Sequence, residues 1–168
     1  VLDENDDEGL NATRIACEQK PLGIIFLGGS PDKLADDFKR VHEPSVLISN
    51  QAHTLDSKYV SSVSIDNFEA SYFSAKHLIE NGHKNIGVIG GALDTGLSTI
   101  RYEGFLKAMD EANLSFDFEK SYESSKYSFE GGEAAVKNLI KRNPDITAIF
   151  TMSDAMAIGA CRQLRDMN

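Results

Sequence analysis

In the stretch TGLSTIRYEGFLKAM (95–109), Leu97, Ile100, Gly104, Phe105, Ala108 and Met109 recur at three- and four-residue spacing and so share one helix face. Arg101 stands at the edge of that face, beside Ile100 and one turn from Leu97 and Phe105. A guanidinium there has three outlets: solvent, a carboxylate, or a polar cavity. Its planar head donates several hydrogen bonds at fixed charge, which suits vicinal hydroxyls, carboxylates or base edges. A second polar set follows directly after predicted strands: Leu27 to Ser30, Ser49 and Asn50, Asp66 and Asn67, Gly90 to Leu93, and Ser153 and Asp154. Taken singly, such glycines permit turns, and Ser, Asp and Asn cap helices. Taken together, they support a shared cleft, because ligands of parallel sheets gather at the carboxyl ends of the strands.

The motifs of covalent and phosphate chemistry are absent. The glycines of GVIGGALDTG fall at 87, 90, 91 and 96, the wrong spacing for a dinucleotide fingerprint, and there is no GxxxxGK[ST]. No G-x-S-x-G elbow presents a nucleophile. His42, His53, His77 and His83 have no Cys or His partners at zinc spacing. The reading is a binding protein, not an enzyme, with no cofactor and no metal.

The elements that must position these residues alternate. Helical patterns cover 8–20, 32–41, 66–82, 95–109, 128–142 and 153–167, and strand patterns cover 23–29, 45–49, 60–65, 84–91, 119–124 and 146–152. The run GIIFLGG (23–29) reads as a buried parallel strand, and QAHTLDSKY (51–59) as a polar loop. Asp66 or Asn67 caps the helix that Gly82 stops, and Ser153 or Asp154 begins the last one. Alternation with short links predicts an α/β fold with parallel sheets flanked by helices.

The 168 residues carry a net charge of −9, with 41% hydrophobic and 26% charged positions, the make-up of a globular chain. That balance, with no Lys/Arg cluster, argues against this stretch gripping nucleic acid itself. No apolar run approaches a membrane span, and no signal peptide is visible in a chain that opens with Val1. Cys17 and Cys161 read as reduced thiols packed in helices.

Three stretches in order resemble the sugar- and purine-responsive repressors of the lactose-repressor (LacI/GalR) family: VSIDNFEASYFSAKHLIENGHKNIGVIGG (63–91), RYEGFLKAM (101–109) and NPDITAIFTMSDAMAIGA (143–160). The resemblance implies a periplasmic-binding-protein-like effector domain of type I, two lobes around a ligand cleft, with parts of both lobes outside this chain. Residues 1–65 would belong to the N-terminal lobe and 66–168 to the C-terminal lobe. It implies a small-molecule effector, a carbohydrate or else a purine, and a cytoplasmic homodimer that reads operator DNA through a helix-turn-helix head outside this chain. Position by position, Arg101 matches the arginine that reaches effector oxygens. Ser153 and Asp154 match a strand-end pair, Ser153 as the contact and Asp154 as the cap. Asp66 sits at the first crossing between lobes, where it can accept hydroxyl hydrogen bonds. Tyr127 matches an aromatic that packs on the ligand ring. Ser49 stands where several relatives carry an Asp, a departure from the common sugar-binding pattern. Internal ion pairing of Arg101 with Asp154 or Asp66 is the structural alternative. The competing function is a secreted sugar-binding protein serving a transporter.

Overall fold

Helices and short parallel strands make up the computed structural model, which describes residues 8–27, 41–49, 58–93 and 96–167. The chain divides into two units, Val1–Ile65 and Asp66–Asn168. The first contains α1 (Glu8–Gln19), β1 (Ile24–Leu27), β2 (Ser45–Ile48) and β3 (Val60–Val63). Its sheet is parallel in the order β1-β2-β3, with Leu27, Ile48 and Val63 in register. Leu47 and Val41 are buried, as are Ala12 and Ala16 of α1.

Within the run 23–29, Ile24–Leu27 does form a parallel strand, but not a buried one. Ile25 and Leu27 are 68% and 83% exposed, and Val63, in register with Leu27 two strands away, is 62% exposed. Alternate residues of a strand face opposite sides, so a continuous apolar run reveals nothing about whether both sides are covered. The predicted helix 32–41 lies outside the described residues except at Val41, and Gly28, Gly29, Ser30, Asn50 and most of the predicted loop 51–59 also lie outside them.

The second unit runs α2 (Asn67–Glu80), β4 (Ile86–Gly90), α3 (Gly96–Glu111), α4 (Phe118–Ser121), β5 (Tyr122–Ser124), α5 (Phe129–Arg142), β6 (Ala148–Thr151) and α6 (Asp154–Asp166). Its sheet is parallel in the order β5-β4-β6, and all five residues of β4 are buried. Ile86 and Val88 join an aromatic-rich core with Phe105, Met109, Tyr122 and Phe150. Ile89, on the other face, joins Val136, Leu139 and Met156. Helices thus cover both sides of β4, as in parallel sheets generally.

Capping chemistry sets the helix ends. Asp66, Ser128 and Ser153 each accept a hydrogen bond from the backbone N–H three residues on. At the end of α2, Gly82 takes a φ of 90° while His83 N–H bonds back to Leu78 C=O at 3.2 Å, a closure that favours glycine. His83 itself bonds Thr147 Oγ1 through Nδ1 at 3.0 Å.

Three local expectations need correction. The predicted strand 119–124 begins as the single turn α4, because Asp117 accepts from Lys120 N–H and caps it; only Tyr122–Ser124 pairs with β4. On α3, Ile100 is 41% exposed and Ser98 is fully buried, so the helix is rotated relative to its apolar stripe. The rotation pairs Ser98 with the Tyr127 hydroxyl at 2.9 Å and leaves that polar side chain satisfied. Cys17 and Cys161 are both free thiols on helices, yet both are exposed, not packed.

Candidate functional site

Because β4, β5 and β6 are parallel, their carboxyl ends lie on one edge of the second unit's sheet. Arg101, on the second turn of α3, reaches that edge. Its Nε donates to Asn67 Oδ1 at 3.0 Å, and its Nη1 donates to the Met152 carbonyl at 2.5 Å. Those partners lie 34 and 51 residues away in sequence. The half-buried guanidinium therefore spans from the start of α2 to the end of β6. Five N–H donors are available on such a group, and among the described residues Nη2 has no partner.

The carboxylates are used differently from the expected ion pair. Among the described residues Arg101 pairs with neither Asp66 nor Asp154. Asp66 Oδ1 caps α2 by accepting from Glu69 N–H at 2.9 Å. Asp154 is exposed in the first turn of α6, where its charge opposes the positive helix end. The cap of α6 is Ser153, whose Oγ accepts from Met156 N–H at 3.3 Å. The roles inferred for Ser153 and Asp154 are therefore altered in part: the serine is the cap, and its O–H proton is still available to a second acceptor.

Tyr127 joins the same edge through Met152. Its hydroxyl lies 2.9 Å from Ser98 Oγ and 3.7 Å from Met152 Sδ, and the residue is 41% exposed. The close approach depends on Gly91. A Cβ there would stand 2.6 Å from the Tyr127 ring and 2.5 Å from Ser98 Oγ. The Gly91 carbonyl in turn accepts from the Tyr122 hydroxyl at 2.5 Å. Burial pushes the Tyr122 phenol above its ordinary range, and the neighbouring Tyr127 and Tyr102 add to the shift. It stays a neutral donor at ordinary pH.

Met152 thus links three of the residues singled out from sequence: Arg101 on its carbonyl, Tyr127 at its sulfur and Ser153 as its neighbour. Asp154 and Asp66 follow at one residue's remove from Ser153 and Asn67. Ser49 belongs to the first unit, exposed directly after β2. Its N–H donates to Val63 C=O at 2.9 Å, and its φ of 72° is unusual for a residue with a Cβ. Asn67, Ser98 and the Met152 carbonyl are the members that sequence reasoning did not assign to the site. Asn67 carried a signal, as a strand-end polar residue. A backbone carbonyl and a serine inside an apolar stripe carry none.

Chemically, the edge offers a fixed cation beside a neutral amide and carbonyl, a hydroxyl donor and an exposed aromatic ring. Such a set holds hydroxyl or carboxylate oxygens against an apolar ring face. Among the described residues no group of three His, Cys, Asp or Glu is placed to hold a metal, and no helix is long and apolar enough to cross a membrane.

Two units, each with a parallel sheet and helices, are the architecture of the periplasmic-binding type. The chain belongs to the family described as periplasmic binding proteins and sugar binding domain of LacI family, which it matches over residues 1–168. It is 50% identical over 103 residues to the HTH-type transcriptional repressor PurR of Actinobacillus pleuropneumoniae serotype 5b, covering 61% of this chain and 30% of that protein. It is 37% identical over 151 residues to the HTH-type transcriptional regulator MalR of Clostridium butyricum, covering 89% of this chain and 45% of that protein. The solved complex of the transcriptional regulator CelR with cellobiose superposes with a TM-score of 0.81 at 28% identity, over 96% of this chain and 49% of that one. The chain therefore spans less than half the length of these relatives.

Proposed function

We propose that this chain is the effector-sensing core of a cytoplasmic bacterial transcription regulator. The second unit binds a small carbohydrate on its strand-end edge, and binding is coupled to operator DNA through a helix-turn-helix head outside these residues. The observation that carries this reading is Arg101, oriented by Asn67 and the Met152 carbonyl with Nη2 left for a ligand oxygen. Ser153 adds a hydroxyl donor, Tyr127 an aromatic face for a sugar ring, and Asp66 and Asp154 add acceptors at the rim. The units 1–65 and 66–168 are the two lobes of the effector domain, and the protein acts as a homodimer. The description of the matched family as sugar-binding and the cellobiose carried by a structural relative support a carbohydrate over a purine. The names of the relatives as transcriptional regulators favour this reading over a secreted transporter component.

A ligand that binds only the folded state raises its melting temperature. The intact protein, screened by thermal shift against pentoses, hexoses, cellobiose, maltose and purine bases, is expected to respond to a sugar. Arg101→Ala should keep its fold and lose that response. A folded Arg101→Ala protein that responds like the parent removes Arg101 from the site, and a response to purines alone replaces the carbohydrate.

A further inference from the structure

At the end of β4 opposite Gly90, a cavity of about 390 Å³ opens between the start of the strand and the α3–α4 connection. Its size lies within the range of small-molecule sites, roughly 300–1,000 Å³. Ile86 and Met109 lie beneath it, each 2% exposed. Phe116 forms one wall, held edge-on against Phe105 at 5.1 Å. On the polar side, Asn85 and Asn143 exchange amide hydrogen bonds of 3.4 and 3.2 Å, and Asn143 Nδ2 also donates to Ser121 Oγ at 3.0 Å. This set ties the start of β4 to the end of α5 and is satisfied without a ligand. Two ammonium groups from separate elements complete the lining, Lys84 from just before β4 and Lys120 from α4. Lys120 Nζ lies 3.7 Å from Asp117 Oδ2, whereas Lys84 has no ion pair among the described residues. Two cations and one carboxylate leave the lining with one excess positive charge.

We propose that this cavity is a second ligand site, for a small organic monoanion: a carboxylate on a compact apolar frame. Lys84 and Lys120 hold the carboxylate, and the frame packs on the half-buried Phe116, above Met109 and Ile86. A monoanion neutralises the lining, whereas a dianion leaves excess negative charge beside Asp117. A bare inorganic ion leaves Phe116 uncovered and forgoes that part of the binding energy. The site is separate from the strand-end edge. Met109 and Arg101 stand eight residues apart on α3, about 12 Å along the axis, and Ile86 and Gly90 are the two ends of β4. The same strand and helix thus touch both sites.

Benzoate serves as the probe and benzamide as its neutral match, each titrated into the intact protein with methyl-labelled methionine and followed by NMR. Met109 reports the cavity, and Met152 reports the strand-end edge. Benzoate is expected to shift the Met109 methyl saturably with Met152 unmoved, and benzamide to bind about tenfold more weakly. Lys84→Gln and Lys120→Gln, both at exposed positions, should each weaken benzoate by a similar factor and leave the other methionine signals in place. The proposal fails if benzoate leaves Met109 unmoved, if benzamide binds as well, or if the lysine variants bind like the parent. A sugar that moves Met152 and not Met109 bears on the effector reading alone, so the two stand or fall separately.

Discussion

The two helix pairs that enclose β4 meet the same packing demand with different chemistry. Between α2 and α3, a Cβ on Gly104 would run into the Phe68 carbonyl oxygen. Between α5 and α6, a Cβ on Gly132 or Gly159 would run into the carbonyl oxygens of Met156 or Phe129. Beneath the first pair lie rings, with Phe105 stacked on Phe150 at 5.5 Å and Tyr102 edge-on to Tyr122 at 5.3 Å. Beneath the second lie aliphatic side chains, Ile89, Val136 and Leu139, with Met156. The pairs also deliver their site residues differently. The first presents Arg101 from within a helix, so its aim depends on how that helix is rotated and on partners brought from α2 and β6. The second presents Ser153 as a cap, held by a backbone N–H three residues away. One delivery is long-range and the other is local.

Substitutions that strike each side in turn test this contrast. Phe105→Ala removes a fully buried ring from the aromatic side and should cost about 3–5 kcal/mol in urea unfolding. Leu139→Ala does the same on the aliphatic side at about 2–5 kcal/mol. A larger loss at Leu139 than at Phe105 would reverse the ranking of the two cores. Gly104→Ala and Gly159→Ala each force a methyl against a backbone carbonyl, and about 1–3 kcal/mol is expected for either. Gly96, which meets nothing within 4 Å, is the control that should tolerate Ala. Ser153→Ala deletes the local device and should lose about 1 kcal/mol, read as a lower melting temperature with or without ligand. A change of similar size, about 0.5–1.5 kcal/mol, is expected from Tyr127→Phe, which loses the Ser98 hydrogen bond while the ring's packing on Gly91 survives.

Much of the scaffold was legible because its signals act over a few residues. Ser153 and Asp66 announce helix starts by side-chain oxygens that reach a nearby N–H, and Gly82 announces a stop by its access to positive φ. The alternation of apolar strand runs with capped helices implies the parallel sheets. The turn at Phe118–Ser121 was missed because a single Asp cap competes with a β-type pattern of similar strength. The exposure of Ile25 and Leu27 was missed because strand composition does not report which side is covered.

The site divides along the same line. Sequence by itself determined that Ser153, Asp66 and Asn67 stand at strand ends and that Arg101 sits at the margin of an apolar stripe, since both follow from residue spacing within one element. It also carried enough family pattern to name the binding class. Only the tertiary structure decided where the guanidinium goes. The rotation of α3 buries Ser98 in place of Ile100, and Asn67 and the Met152 carbonyl, not the two aspartates, hold Arg101. Those contacts cross the fold between residues dozens of positions apart. No local periodicity encodes them, because they depend on how packed surfaces settle against one another.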